Sequence, residues 1–226
     1  MANSTSTKTS DSRRNATPAA RRRARVRQAI LSAAERVFAK EGAEGLSIRR
    51  LANAIDYSPA AIYKYFASKE ELLKELKESF FERLCQQLEF VQAQDISPKA
   101  RLKLSIATYV QTALAKPHHY SAAFSGAVSL DESKIEEFQK EFSDSFGGKS
   151  YYMLCEAIDE ALDEGQKDQI ATGVAARSLW ASMHGLTLLL IHHPGFTCAF
   201  PGEPEFTQEE FIEKHAEILM AGVSPT

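Results

Sequence analysis

The 226-residue sequence predicts an all-α protein, and three observations carry that expectation. Helix-opening signals recur along the chain: Thr17-Pro18, Ser58-Pro59 and Ser97-Pro98 each set a capping residue before a Pro at the first helical position. Apolar residues return every three or four positions over long stretches. No segment keeps the strict alternation with β-branched residues that a strand requires. About nine helices are expected in all.

The elements follow in order. Residues 1–16 are rich in Ser, Thr and Asn without apolar anchors, so a disordered polar and basic tail is expected there. Thr17 caps a first helix whose Val26, Ile30, Ala33, Val37 and Phe38 share a face until Gly42. Ser47 caps a short second helix to about Ala54, with Leu46 and Leu51 at the positions of a hydrophobic staple. Ile55-Asp56-Tyr57 connects it to a third helix, capped by Ser58, that runs to about Lys64 or Tyr65. Ser68 and Glu71 form a capping box, opening a long amphipathic fourth helix over residues 68–93. A fifth helix starts at Pro98 and ends near Lys116, and a sixth starts at Pro117 and covers HHYSAAFSGAVSL. A seventh spans about Asp131 to Glu164 with an interruption at Gly147-Gly148, and an eighth spans about Asp168 to His193, stopped by Pro194. Thr207 and Glu210 make a second capping box, opening a ninth helix to about Ala221.

Composition narrows the function classes. With 44% hydrophobic and 25% charged residues the chain is ordinary globular material, and no membrane span is expected. The N-terminus lacks the apolar stretch of a secretory signal, so a cytoplasmic protein is expected. Cys85, Cys155 and Cys198 are widely spaced with no CxxC pair, which predicts idle thiols over a redox or metal motif. His118-His119 and His192-His193 are adjacent pairs, not the spacing that puts two ligands on one helix face. No HExxH, GxSxG or Gly-rich phosphate loop occurs, so no catalytic residue, metal set or cofactor is expected.

Charge is divided unevenly. Residues 1–77 hold 16 Lys and Arg against 8 Asp and Glu, whereas residues 78–226 hold 11 against 22. The basic end is also where two short helices meet across a three-residue connection, the pattern of a helix-turn-helix. Such a unit sets the start of its second helix in the major groove of DNA. Pro59 opens that helix, and the small Ala60 and Ala61 allow close approach to base edges. Tyr63 and Tyr65 can donate hydroxyl bonds to phosphates while Lys64 supplies charge. Lys69 stands at a helix start, where the dipole favours an anion. Arg49 and Arg50 oppose the dipole of the second helix and gain nothing structurally, which a nearby polyanion would explain. Arg21, Arg22, Arg23, Arg25 and Arg27 could follow the DNA backbone or enter a minor groove as an arm.

The basic first helix followed by SIRRLANAIDYSPAAIYKYFASKEELL resembles the DNA-binding end of the TetR family of bacterial transcriptional regulators, over about Arg22 to Phe80. That resemblance implies a helix-turn-helix DNA-binding domain at 17–67. It implies a larger helical bundle at 68–226 for ligand binding and dimerisation, the fourth helix connecting the two. It places Ser47, Arg49, Ser58, Ala60, Tyr63, Lys64, Tyr65 and Lys69 at DNA. Asp56 departs from the family's usual turn Gly, and is expected to adopt the left-handed region and to face the protein.

Ser178 to Leu186 resembles the Trp…His-Gly (WHG) pattern of one subset of such C-terminal domains. The resemblance implies a homodimer on a near-palindromic operator, and a small hydrophobic effector inside the bundle. Pocket candidates are Tyr109, His119, Tyr120, Phe124, Phe142, Tyr151, Tyr152, Cys155, Trp180, Met183 and His184. Interface candidates on the last two helices are Leu186, Leu189, Leu190, His193, Phe211, His215 and Ile218. The function expected is a ligand-responsive dimeric repressor, cytoplasmic and nucleoid-associated. The alternatives are an architectural or partner-recruiting DNA-binding protein without an effector, and a metal-dependent helical enzyme.

Overall fold

The computed structural model describes residues 17–125, 132–163, 165, 171–193, 195–199 and 201–223. The described residues contain ten α-helices and no strand: α1 (Pro18–Gly45), α2 (Ile48–Ala54), α3 (Pro59–Ile62), α4 (Lys69–Gln92), α5 (Pro98–Leu114), α6 (Pro117–Ala123), α7 (Ile135–Ser143), α8 (Phe146–Ala161), α9 (Thr172–His192) and α10 (Gln208–Val223). The expected tail at 1–16, the end of the expected sixth helix, the expected helix start at Asp168 and the expected stop at Pro194 lie outside the described residues. The chain divides into two compact units, Met1–Leu72 and Leu73–Thr226.

In the first unit α1 bends at Gly42, whose φ of 68° only glycine adopts without strain, so the helix named by its ends is two segments across a kink. Ser47 Oγ accepts the Arg50 N–H at 3.3 Å and Ser58 Oγ accepts the Ala61 N–H at 3.2 Å, the two caps that start α2 and α3. Leu46 and Leu51 are buried together with Ile30, Ala34, Ile62, Phe66 and Leu72. Between α2 and α3, Asp56 has φ 55°, the only non-glycine residue with positive φ among those described. Its left-handed conformation is as expected, but its side chain is exposed and does not turn into the protein. The third helix is shorter than expected. After Ile62 the backbone tightens into turns in which the Lys64 N–H reaches Ala61 O and the Tyr65 N–H reaches Ile62 O.

The second unit is a bundle in which α5 packs against α8, α9 and α10. Its core includes Phe80, Leu84, Leu102, Ile106, Val110, Ile158, Leu179 and Ile212. Here the break expected at Gly147-Gly148 falls earlier, at Asp144-Ser145. Ser145 Oγ accepts the Gly148 N–H at 3.0 Å and so caps α8, leaving both glycines in its first turn. Gly148 is needed for a packing reason: a Cβ there would lie 2.8 Å from the carbonyl carbon of Phe142. The sixth helix also ends sooner than expected, at Ala123, with Phe124 as its cap residue. At α10 the capping box is complete, the Glu210 carboxylate accepting the Thr207 N–H at 2.8 Å while Thr207 Oγ1 accepts the Glu210 N–H.

Candidate functional site

In the basic unit, the end of α3 is fixed from behind. Arg27 donates to the Tyr65 carbonyl at 2.6 Å, lies 4.3 Å from the centre of the Phe66 ring and 3.6 Å from the Glu71 carboxylate. Arg23 donates to the Lys64 carbonyl at 3.1 Å and sits over the Tyr65 ring. Two arginines expected on a DNA arm therefore hold the turn Tyr63–Tyr65 in place. That turn leaves Tyr63 54% exposed and Lys64 exposed, while Tyr65 is half-buried.

The remaining residues expected at DNA divide by what holds them. Arg22, Arg49, Pro59 and Ala60 are exposed, Ala61 is half-buried, and Lys69 is half-buried at the first residue of α4. Ser47 and Ser58 are occupied as caps. Arg50 requires a correction: it pairs with Glu41 and approaches the Gly45 carbonyl, so it has a structural partner across the α1–α2 bend. Glu71 accepts the Ala67 N–H at 2.6 Å, one residue beyond the usual reach of a capping box, and Ser68 Oγ accepts the Glu71 N–H.

The bundle holds a partly open cavity of about 580 Å³, a volume suited to a small organic ligand. Six of the pocket candidates line it: Tyr109, Phe142, Tyr151, Tyr152, Trp180 and Met183. His119, Tyr120, Phe124, Cys155 and His184 are not on its wall. They do other work. Trp180 Nε1 donates to Tyr109 Oη at 3.2 Å, Tyr109 Oη and Tyr120 Oη are 2.9 Å apart, and Tyr120 Oη bonds His184 Nδ1. Burial pushes the Tyr109 phenol up to about 12 and raises Tyr120 as well, so both phenols stay neutral. Burial, then the charge of Lys77, lowers the His184 imidazole. His119 Nε2 lies 2.8 Å from the Leu76 carbonyl and 3.0 Å from Ser79 Oγ, tying α6 to α4.

The thiols differ by depth: Cys85 is buried, Cys155 half-buried and Cys198 exposed, and all three are free. Burial raises Cys85 and Cys155, which makes both poorer nucleophiles. Among the described residues no three His, Cys, Asp or Glu side chains come together as a metal set.

The family of "Bacterial regulatory proteins, tetR family" matches residues 30–76, and "Tetracyclin repressor-like, C-terminal domain" matches residues 102–214, half of the chain. The chain belongs to the TetR family of bacterial transcriptional regulators. Solved structures agree in fold. A protein of unknown function from Rhodococcus sp. RHA1 shares 26% identity, with 87% of this chain and 94% of that one covered and a TM-score of 0.62. The TetR-family regulator PfmR of Thermus thermophilus shares 19%, with 84% and 96% covered and a TM-score of 0.61. The ketosteroid transcriptional regulator KstR2 of Mycobacterium tuberculosis shares 19%, with 88% and 95% covered and a TM-score of 0.57. No match was found among curated proteins.

In this TetR-family regulator the interface candidates are unequally placed. Ile218 is 69% exposed and Leu189 38%, with His193 exposed, while Leu190, Phe211 and His215 are half-buried. Leu186 is a core residue at 5% exposure. Cavity-lining residues outside the expected pocket set include Phe81, Phe138 and Arg177. For Arg177 a signal existed: it precedes Trp180 by three residues on α9, so the two share a helix face.

Proposed function

We propose that this TetR-family regulator is a dimeric, ligand-responsive repressor, non-enzymatic and cytoplasmic, that reads a near-palindromic operator through α3. The observation that carries the DNA side is the turn Tyr63–Tyr65, held by Arg23 and Arg27 so that Tyr63 and Lys64 face solvent. A tyrosine more than half exposed contributes little to a core, and a hydroxyl beside a lysine suits a phosphate. Lys69 at the start of α4 would add a second phosphate contact. Pro59, Ala60 and Ala61 would approach base edges, with Arg22 and Arg49 near the backbone.

The cavity supports the effector side, since a purely architectural DNA-binding protein would have no use for it. Its occupant would favour a dimer geometry whose two heads no longer fit successive grooves, which requires unequal affinity for the two states. Exposed Leu189 and Ile218 on α9 and α10 would lie at the dimer contact. The test is a titration of the purified protein against its own upstream intergenic DNA at several salt concentrations. Specific binding is expected, with Lys69→Ala lowering the salt slope by about one and Tyr63→Ala weakening affinity without loss of fold. Equal affinity for operator and random fragments, followed by a genome-wide selection that enriches no site, would sink the proposal.

A further inference from the structure

The cavity is chemically lopsided. Its wall is mostly aromatic and aliphatic, and Arg177 is the single charged residue on it among the described residues. This occurs in a part of the sequence, residues 78–226, that carries 22 acidic residues against 11 basic ones, yet among the described residues no Asp or Glu lines the cavity. The serine hydroxyls on the wall are already committed to the backbone: Ser105 donates to the Arg101 carbonyl, Ser143 to Gln139 and Ser150 to Gly147, at 2.9, 2.9 and 2.8 Å. Arg177 differs from them. Among the described residues it has no hydrogen-bonding or ion-pair partner.

Its setting brings a second polar group close to it. Gly173, one helical turn before Arg177 on α9, presents no side chain; a Cβ there would stand 3.3 Å from Tyr151 Oη and 3.8 Å from Arg177 Nη2. The absence of a side chain at Gly173 thus lets the phenol and the guanidinium converge on one stretch of a wall that is otherwise mostly apolar. A planar guanidinium with unused donors matches a carboxylate in two parallel bonds. An apolar body would then lie against the remaining wall, which includes Tyr109, Met183 and Phe81.

We propose that the cavity takes an organic anion, an apolar body bearing one carboxylate, and that Arg177 is the residue that selects the charge. The inference rests on the reading of the cavity as the effector site. Because Arg177 is exposed, the preference for the anion over a neutral isostere is about fivefold at low salt and shrinks as ionic strength rises.

Trp180 supplies the readout, since it is the one tryptophan of the chain and lies on the cavity wall. The full-length protein is titrated with decanoate and with decanamide at about pH 7.5, where a carboxylate is ionised, following Trp180 fluorescence and the shift in melting temperature. The wild type should bind decanoate about fivefold more tightly than the amide. In Arg177→Gln the two affinities should converge with unchanged melting of the ligand-free protein, and Arg177→Lys should keep part of the preference. Equal binding of acid and amide by the wild type, or a preference that survives Arg177→Gln, overturns the anion proposal alone. If neither compound alters fluorescence or melting, the proposal and the effector-site reading beneath it both fall.

Discussion

Replacing Arg27 by Met separates two roles that the sequence alone makes equally reasonable, a contact to the DNA backbone and a brace inside the protein. Arg27 bonds the Tyr65 carbonyl at 2.6 Å, lies 4.3 Å from the centre of the Phe66 ring and pairs with the Glu71 carboxylate at 3.6 Å. A hydrogen bond from a charged donor contributes about 1.5–3 kcal/mol, and the side chain is 30% exposed, so the lower end applies. The cation–π contact adds about 0.5–1 kcal/mol. The ion pair, half open to water on the Glu71 side, adds about 0.5 kcal/mol. Methionine keeps the apolar stem but none of these, so the N-terminal unit should lose about 2–3 kcal/mol. Denaturant unfolding followed by circular dichroism should show the helices of that unit melting earlier, while Trp180 fluorescence, which reports the other unit, keeps its midpoint. Operator affinity should fall with an unchanged salt slope, because a brace and not a phosphate contact is lost. The reasoning is refuted if Arg27→Met leaves unfolding within about 0.5 kcal/mol of wild type and instead lowers the salt slope by about one.

Three further outcomes are expected. Gly148→Ala places a Cβ against the Phe142 carbonyl and should destabilise the bundle by about 1–3 kcal/mol, whereas Gly147→Ala meets the Phe81 ring and Ser145 Oγ at 3.4 Å, ordinary contact distance, and should melt near wild type; equal melting of the two variants would contradict the packing argument. The buried phenols predict a pH dependence of definite sign. With the folded Tyr109 pushed up to about 12 from an ordinary value near 10, the unfolded chain releases its proton first, so stability is full below about pH 10 and declines between about pH 10 and pH 12. Spectrophotometric titration should find Tyr109 and Tyr120 un-ionised until the protein unfolds, and all seven tyrosines titrating together in the folded state would count against it. Asp56→Gly should raise the stability of the N-terminal unit by about 0.5 kcal/mol by relieving a left-handed residue, and Asp56→Val should lower it by about 1 kcal/mol; the reverse order in a denaturation series would show that the turn is held by something other than its backbone conformation.

Helix starts were legible in the sequence because a cap is a local object. Thr17, Ser47, Ser58, Ser68, Ser97 and Thr207 each accept a bond from an N–H three residues ahead, so the information sits within one turn of chain. Partners more than one turn away leave no such local mark. The Gly147-Gly148 pair looks like a helix breaker, yet Gly148 is there because the backbone at Phe142 comes too close for a side chain. Arg23 and Arg27 look like an arm, but their carbonyl partners lie 41 and 38 residues away. Periodicity finds aromatic residues on helices but gives no account of depth. Tyr120 is fully buried and Tyr152 is 49% exposed, and only the second lines the cavity.

The pocket candidates that do not line the cavity still bear on how an occupant could be felt. Trp180 and Tyr109 belong both to the cavity wall and to the hydrogen-bonded series that continues through Tyr120 to His184. Tyr120 is on α6, and its neighbour His119 bonds the Leu76 carbonyl and Ser79 Oγ on α4. The short helix α6 is thus bonded to α9 on one side and to α4 on the other. In a buried series of this kind each hydroxyl or imidazole that loses its partner costs about 1–3 kcal/mol, so displacement of Trp180 or Tyr109 cannot be absorbed at the cavity wall alone. Either the occupant replaces the lost bond, or α6 shifts and takes its contacts on α4 with it. An effector that satisfies Tyr109 Oη would leave α6 where it is, and one that fills the same volume with apolar atoms would not, so chemistry at that single hydroxyl can decide whether an occupant is silent or effective.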